Sequence, residues 1–139
     1  MVAGLTRGTT RAHIVRAAIE AMAYGTADVL DAMRKHGQVS FDMLRVDGGA
    51  ATNNWLMQFQ SDLLGVPVER PALVETTAFG AAGLAGLAAG VWSNADAFLS
   101  STRFTRFDPA KDRHAVLQAY DGWHRAVRAT LSHARDRGA

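Results

Sequence analysis

The chain contains no cysteine. That single absence excludes disulfides, thiolate catalysis and cysteine-based zinc sites together, and it fits a reducing compartment. Lysine is almost as scarce, being confined to Lys35 and Lys111, so no Walker-type phosphate loop with its lysine is present. Charge of one sign is also lacking. Fifteen basic residues stand against 13 acidic ones, a formal net charge of +2. The basic residues are scattered without a stripe or interleaved aromatics, which argues against a nucleic-acid partner. The longest apolar run, Ala78 to Trp92, is broken by Gly80, Gly83, Gly86 and Gly90. It falls short of the roughly 18 residues that a membrane span needs, so it reads as a buried helix and no membrane partner is expected. The N-terminus has no basic region followed by an apolar core, so no secretory signal is expected either. A cytoplasmic location is expected. The five histidines, His13, His36, His114, His124 and His133, never pair at helical spacing, so each reads as a surface or capping residue. No nucleophile-and-base set and no metal-ligand set stands out.

What is present is a chain of 139 residues, 48% hydrophobic and 20% charged. That suits one packed domain. Its centre is Leu44 to Gln60. The short apolar run Met43–Val46 meets Asp47, Gly48 and Gly49, and a helical pattern opens at about Asn53. This is a strand, a glycine turn and a helix start. Paired glycines permit positive φ and let another molecule lie against the backbone, while the new helix turns its free N–H groups toward that gap. Two readings of the turn stand open at this level. It is either an ordinary βα turn, with Asp47 as a capping carboxylate, or a binding turn for an anion or a flat heterocycle.

Around this centre the sequence predicts alternating elements. Thr9 or Thr10 caps a first helix that carries Val15, Ile19, Met22, Val29, Leu30 and Met33. It ends at His36–Gly37, with Gly37 in the left-handed cap position. Gly25 inside it costs roughly 1 kcal/mol relative to Ala, so a close neighbour or a bend is expected there. The helix from Asn53 to Leu64 buries Trp55, Leu56, Phe59 and Leu63 and turns Gln58, Gln60 and Asp62 outward; Gly65 and Pro67 stop it. Val66–Glu69 is a second strand. Glu75–Thr77 starts a helix over Ala78–Ala89, whose small residues suit close packing. Ser93 or Asn94 caps a brief turn through Phe98. Arg103–Phe107 is a weaker strand with Phe104 and Phe107 as core positions. Asp108–Pro109 reads as a cap with Pro at the first helical position, opening a last helix over Ala110–Arg135 with Val116, Tyr120, Trp123, Val127 and Leu131 on one stripe. The end beyond Arg135 is expected to fray. Helix and strand alternation gives an α/β class. Two convincing strands are too few to cover these helices, so part of the sheet is expected to lie outside the chain, on its N-terminal side.

Several stretches, in order, resemble the FGGY carbohydrate kinases. They are Gly4–Leu5 with His13–Ile14 and Ala17–Glu20, then Ala23–Tyr24, Thr26 and Asp28–Leu30. Arg45–Ala50, Asn53–Asn54 and Leu56–Asp62 follow, then Val68–Pro71, Glu75–Ala78 with Gly80–Ala82, and Leu84–Leu87. The match is weaker at Tyr120, Gly122, Trp123, Ala126 and Val127. Within the family the residues resemble the glycerol kinase branch, less specifically than they resemble the family; another FGGY sugar kinase, such as a xylulose or ribulose kinase, and a non-catalytic helical assembly module stay open. The resemblance implies a helix-rich α/β fold with few strands, the C-terminal portion of an actin-like ATPase (ribonuclease H-like) domain. It implies that residues 1–139 form an incomplete C-terminal segment, without the N-terminal domain and the catalytic portion, and inactive alone. It implies ATP or ADP as the nucleotide, with Mg²⁺ held mainly outside the chain, glycerol as the other substrate, and a homo-oligomeric enzyme. In that reading Gly49 lies against the nucleotide, Asn53 hydrogen-bonds the adenine and Gly48 belongs to the same turn. No catalytic or metal-binding residue is carried over. Gly25, Ala27 and Gly83 depart from the family, where larger side chains are common; Gly83 is expected to loosen helix packing.

Overall fold

The computed structural model describes residues 1–100 and 102–136. In order, the elements are α1 (Arg11–Gly37), β1 (Leu44–Arg45), a 3₁₀ turn (Gly49–Thr52), α2 (Asn54–Leu64), β2 (Val68–Pro71), α3 (Thr76–Ala88), α4 (Ala95–Leu99), β3 (Phe104–Phe107) and α5 (His114–Asp136). The sheet order is β1-β2-β3. β1 runs parallel to β2, with Leu44 opposite Val68, and β3 is antiparallel to β2, with Val68 opposite Phe107. The weak third strand is therefore a full member of the sheet.

α2 is the central helix, with α1, α5 and the sheet packed around it. Being covered on several sides, it buries more than one stripe: Leu56, Met57, Phe59, Leu63 and Leu64, and also Gln60 at 6% and Ser61 at 0% exposure. Gln60, expected to face out, is thus inside. The Ser61 hydroxyl lies 2.8 Å from the Phe107 carbonyl and 3.0 Å from that of Val66, which ties helix to sheet. Trp55, expected in the buried face, is 40% exposed; it lies in the first turn of α2, at the rim of the packed face, between a groove against α1 and a cleft against α5.

Helix ends follow local chemistry with two exceptions. Thr10 caps α1, and its N–H donates to His13 Nδ1 at 3.0 Å. The left-handed residue at the other end is Gln38 (φ 50°), not Gly37, which stays helical. Gly65 ends α2 at φ 70° as expected. The Arg113 guanidinium covers that end, donating to the carbonyls of Asp62 and, at 2.6 Å, Leu63. Asp108 is not a helix cap. Its carboxylate takes Arg106 and its carbonyl takes Gln58, while the Ala110 N–H goes to Asp62 at 2.8 Å. Those contacts hold residues 108–113 against α2, and α5 begins only at His114, where Asp112 accepts the backbone N–H at 3.0 Å. α5 extends to Asp136, and the rest of the expected frayed end lies outside the described residues.

The main polar tie between α5 and α1 is the Asp28 carboxylate, with Asp31 a longer second acceptor for Tyr120 at 3.5 Å. Asp28 accepts from Tyr120 at 2.6 Å and from the Trp123 indole at 2.7 Å, and His124 Nε2 lies 3.1 Å away. Burial pushes the Asp28 carboxyl up, but these hydrogen bonds and the nearby imidazole outweigh it and hold the group below its ordinary value. His124 is therefore a tertiary contact and not a plain surface residue. Tyr24 beside it packs on Phe59, Tyr120 and Trp123.

The small residues of α3 do serve close approach, at particular positions. A Cβ on Gly83 would collide with the Phe98 ring, and one on Gly86 with the Trp92 ring. Gly83 therefore tightens the packing it was expected to loosen. Gly25, by contrast, has nothing within 4 Å, so no close neighbour explains it. Phe104 is 41% exposed, since β3 is an edge strand that turns only Phe107 toward the core.

Candidate functional site

The glycine turn is held from three directions. Val46 N–H donates to the Glu69 carbonyl at 3.0 Å, and Gly48 N–H to the Val74 carbonyl at 2.9 Å. These bonds continue the β1–β2 ladder to the turn. Arg70 reaches across from β2 and donates from one nitrogen to the Ala51 carbonyl and to Asn54 Oδ1, both at 2.8 Å. Thr52 folds back on the Gly49 carbonyl at 2.7 Å. Asp47 is exposed and accepts from the Thr76 hydroxyl, joining the end of β1 to the start of α3. It does not cap the glycine turn itself.

The two glycines have different reasons to be glycine. Gly48 sits at φ 79°, ψ 176°, a region essentially closed to side chains. Gly49 has no such backbone demand, and a Cβ there would meet nothing within 4 Å. Its backbone is open to the outside.

Asn53 is the N-cap of α2. Its Oδ1 accepts from Leu56 N–H at 3.1 Å, which occupies the carbonyl end of the amide and leaves the Nδ2 hydrogens facing away from the helix. Gly48, Gly49 and Asn53 thus lie on one turn, as their spacing predicts. The structure does not gather them into one cavity. Asn53 lines an open groove of about 640 Å³ between the first turns of α1 and α2, together with Arg11, Val15, Arg16, Ile19 and Trp55. On the far side of the turn, Asp47 lines a cavity of about 770 Å³ bounded by Arg45, Thr76, Phe79, Phe98 and Phe104. Neither glycine lines either space.

Residues that sequence reasoning missed are Arg70, which anchors the turn, and the α1 wall of the groove. Arg70 had no local signal, because its partners lie 16 to 19 positions away. Among the described residues no group of three His, Asp or Glu side chains converges on a metal-sized site. No helix of the described residues is long and apolar enough to cross a membrane.

The chain and its fold are similar to known proteins. The sequence profile of the FGGY family of carbohydrate kinases, C-terminal domain, matches residues 1–89. The chain is 54% identical over 132 residues to the glycerol kinases of Geobacillus kaustophilus and of Thermus thermophilus, covering 94% of this chain and 27% of each relative. It spans about a quarter of the length of the curated relatives it matches. The crystal structure of Plasmodium falciparum glycerol kinase with ADP superposes with a TM-score of 0.76 at 32% identity, over 93% of this chain and 26% of that one. The fold is that of the actin-like ATPase domains of these kinases, helix-rich with a small sheet.

Proposed function

The chain belongs to the FGGY family of carbohydrate kinases, and from that premise we propose that it is the nucleotide-binding C-terminal segment of an ATP-dependent glycerol kinase. The whole enzyme transfers the γ-phosphoryl group of MgATP to the terminal hydroxyl of glycerol. The phosphorus–oxygen bond to ADP breaks, a new one to the glycerol oxygen forms, and the hydroxyl proton leaves to a base. Such chemistry needs base, metal and phosphate clamp held together. We assign those parts, Mg²⁺ included, to the remainder of the kinase. This segment holds the adenosine end.

The observation that carries the reading is the turn itself. Gly49 offers open backbone, Gly48 supplies the conformation that aims it, and Asn53 keeps a free amide donor beside it. Arg70 and the β1–β2 ladder fix the turn in advance, so little order remains to be gained on binding. The Plasmodium falciparum kinase was crystallised with ADP, which supports a nucleotide at this fold, and the identity to glycerol kinases supports glycerol as acceptor. A homo-oligomer is part of the same proposal.

The test is a chimera in which this chain replaces the matching segment of the Geobacillus kaustophilus enzyme. Glycerol-dependent ADP release is expected, and Asn53→Leu should raise KM for ATP with KM for glycerol unchanged. Release only with xylulose, ribitol or gluconate would replace the substrate. A folded chimera releasing nothing with any of them would make the segment a non-catalytic module.

A further inference from the structure

α1 is apolar on two faces. Ala23, Tyr24, Ala27 and Leu30 are buried against the rest of the fold. On the other side of the helix Val15, Met22 and Val29 stand 50%, 49% and 59% exposed, with Ala18, Gly25 and Ala32 between them. The spacing alternates between three and four residues, which keeps all six in one stripe. It is a heptad seam, with a large side chain every seven residues and a small residue every seven between them. None of the six positions is charged, and Ile14 and Met33 beside the seam are 48% and 45% exposed. Gly25 near its middle weakens the helix, yet nothing in the chain lies within 4 Å of a Cβ built there. A helix with two apolar faces has two surfaces to cover, and this chain covers one.

We infer that this seam joins two copies of the chain, α1 against α1, antiparallel about a two-fold axis. Self-complementarity selects a second copy as the occupant. With the axis between residues 23 and 24, Val15 lies opposite the partner's Ala32, Val29 opposite the partner's Ala18 and Met22 opposite the partner's Gly25. Every layer then joins a large residue to a small one, as knobs in holes require, and Gly25 gains the neighbour that explains it. That axis falls at the middle of α1, so the two helices overlap along their whole length with opposed dipoles. A parallel pair would set Met22 against Met22 and Gly25 against Gly25, alternating overpacked layers with voids. From Val15 to Ala32 the seam runs roughly 25 Å. Closing it buries on the order of 600 Å² from each copy, the lower end of what a stable dimer needs. A two-fold contact of one patch with itself is the commonest way for a homo-oligomer to close. This interface rests on the homo-oligomer proposed above.

The chain has no cysteine, so Lys35→Cys carries a spin label at one place. Double electron–electron resonance should give a distance of about 35 Å between copies, set by the helix rise on either side of the axis. A much shorter distance, or no coupling at all, overturns the antiparallel pair. Gly25→Gln puts a better helix former where the single chain has room and fills the space that the partner's Met22 needs. In a Leu84→Glu background, which removes an exposed leucine of α3, sedimentation equilibrium should show Gly25→Gln and Met22→Glu weakening association at least tenfold, with unchanged circular dichroism. Association equal to that of the background in either variant overturns the seam. In the chimera, Met22→Glu should lower the mass and keep glycerol-dependent ADP release. A chimera whose mass ignores Met22→Glu overturns this interface alone, its seam being covered by the rest of the same polypeptide. A chimera that is monomeric to begin with overturns the homo-oligomer, and the seam with it, and leaves the kinase reading standing.

Discussion

The indole N–H of Trp123 on α5 donates to Asp28 on α1 at 2.7 Å, across 95 positions of sequence. With Tyr120 and His124 on the same carboxylate, this contact anchors the last helix. Asp28→Ala leaves the Trp123 donor without its acceptor and Tyr120 with only the longer contact to Asp31, at 3.5 Å. The expected loss is about 1–2 kcal/mol of stability, the lower part of the range for charged hydrogen bonds because the carboxylate is partly exposed. Urea unfolding followed by circular dichroism measures it, and an unchanged midpoint would show that α5 is held by apolar contacts alone.

Asp28 also sets an acid limit. Its folded pKa is held below the ordinary value, so as pH falls the unfolded chain takes up the proton first. The stability it contributes is present above the unfolded carboxylate value of about 4 and is lost as pH falls through the folded value. Tyr24 works in the opposite sense. Burial, then Glu20, pushes its phenol up to about 12, so its contribution is full below the unfolded value of about 10 and is lost as pH rises through the folded one. Midpoints measured at acid and alkaline pH should fall at both ends. In Asp28→Asn the acid slope should flatten, and in Tyr24→Phe the alkaline one.

Two glycines should respond to alanine with opposite signs. At Gly83 the new Cβ meets the Phe98 ring, and overpacking of this kind costs about 1–3 kcal/mol. At Gly25 there is open space in a helix interior, and the gain is about 0.5–1 kcal/mol. Thermal unfolding of the two variants should bracket the parent chain.

Asn53 has two separable tasks. Asn53→Asp keeps an oxygen for the Leu56 N–H and removes the amide donors. It should leave stability near that of the parent and weaken ADP binding. Asn53→Ala removes both, adding a capping loss of about 1 kcal/mol. Paired unfolding and ADP titrations read the two effects apart. Normal ADP affinity in Asn53→Asp would remove the amide from the site.

Leu73, Leu84, Val91 and Leu99 are each more than half exposed, and β1 has a partner on one side only. Apolar rows and open strand edges drive association. Light scattering should show mass rising with concentration, and Leu84→Glu should lower it. A clean monomer at high concentration would count against self-association.

The local chemistry of the centre was legible in the residues. A glycine at Gly48 is required by its own φ, Asn53 caps from within its own turn, and Gly65 ends α2 through its own backbone. Each of these depends on atoms a few positions apart, so spacing carries the information. Tertiary structure decided the rest. It left Trp55 part-exposed at the surface and buried Gln60, because α2 is enclosed by elements far away in the chain. It displaced the expected cap at Asp108, because Asp62 and Gln58 compete for that segment's backbone. It separated Asn53 and Asp47 into different spaces on either side of one turn. Hydrogen bonds such as those of Arg70, Arg113 and Asp28 join residues that only folding brings together, and no local periodicity encodes which distant partner a side chain will meet.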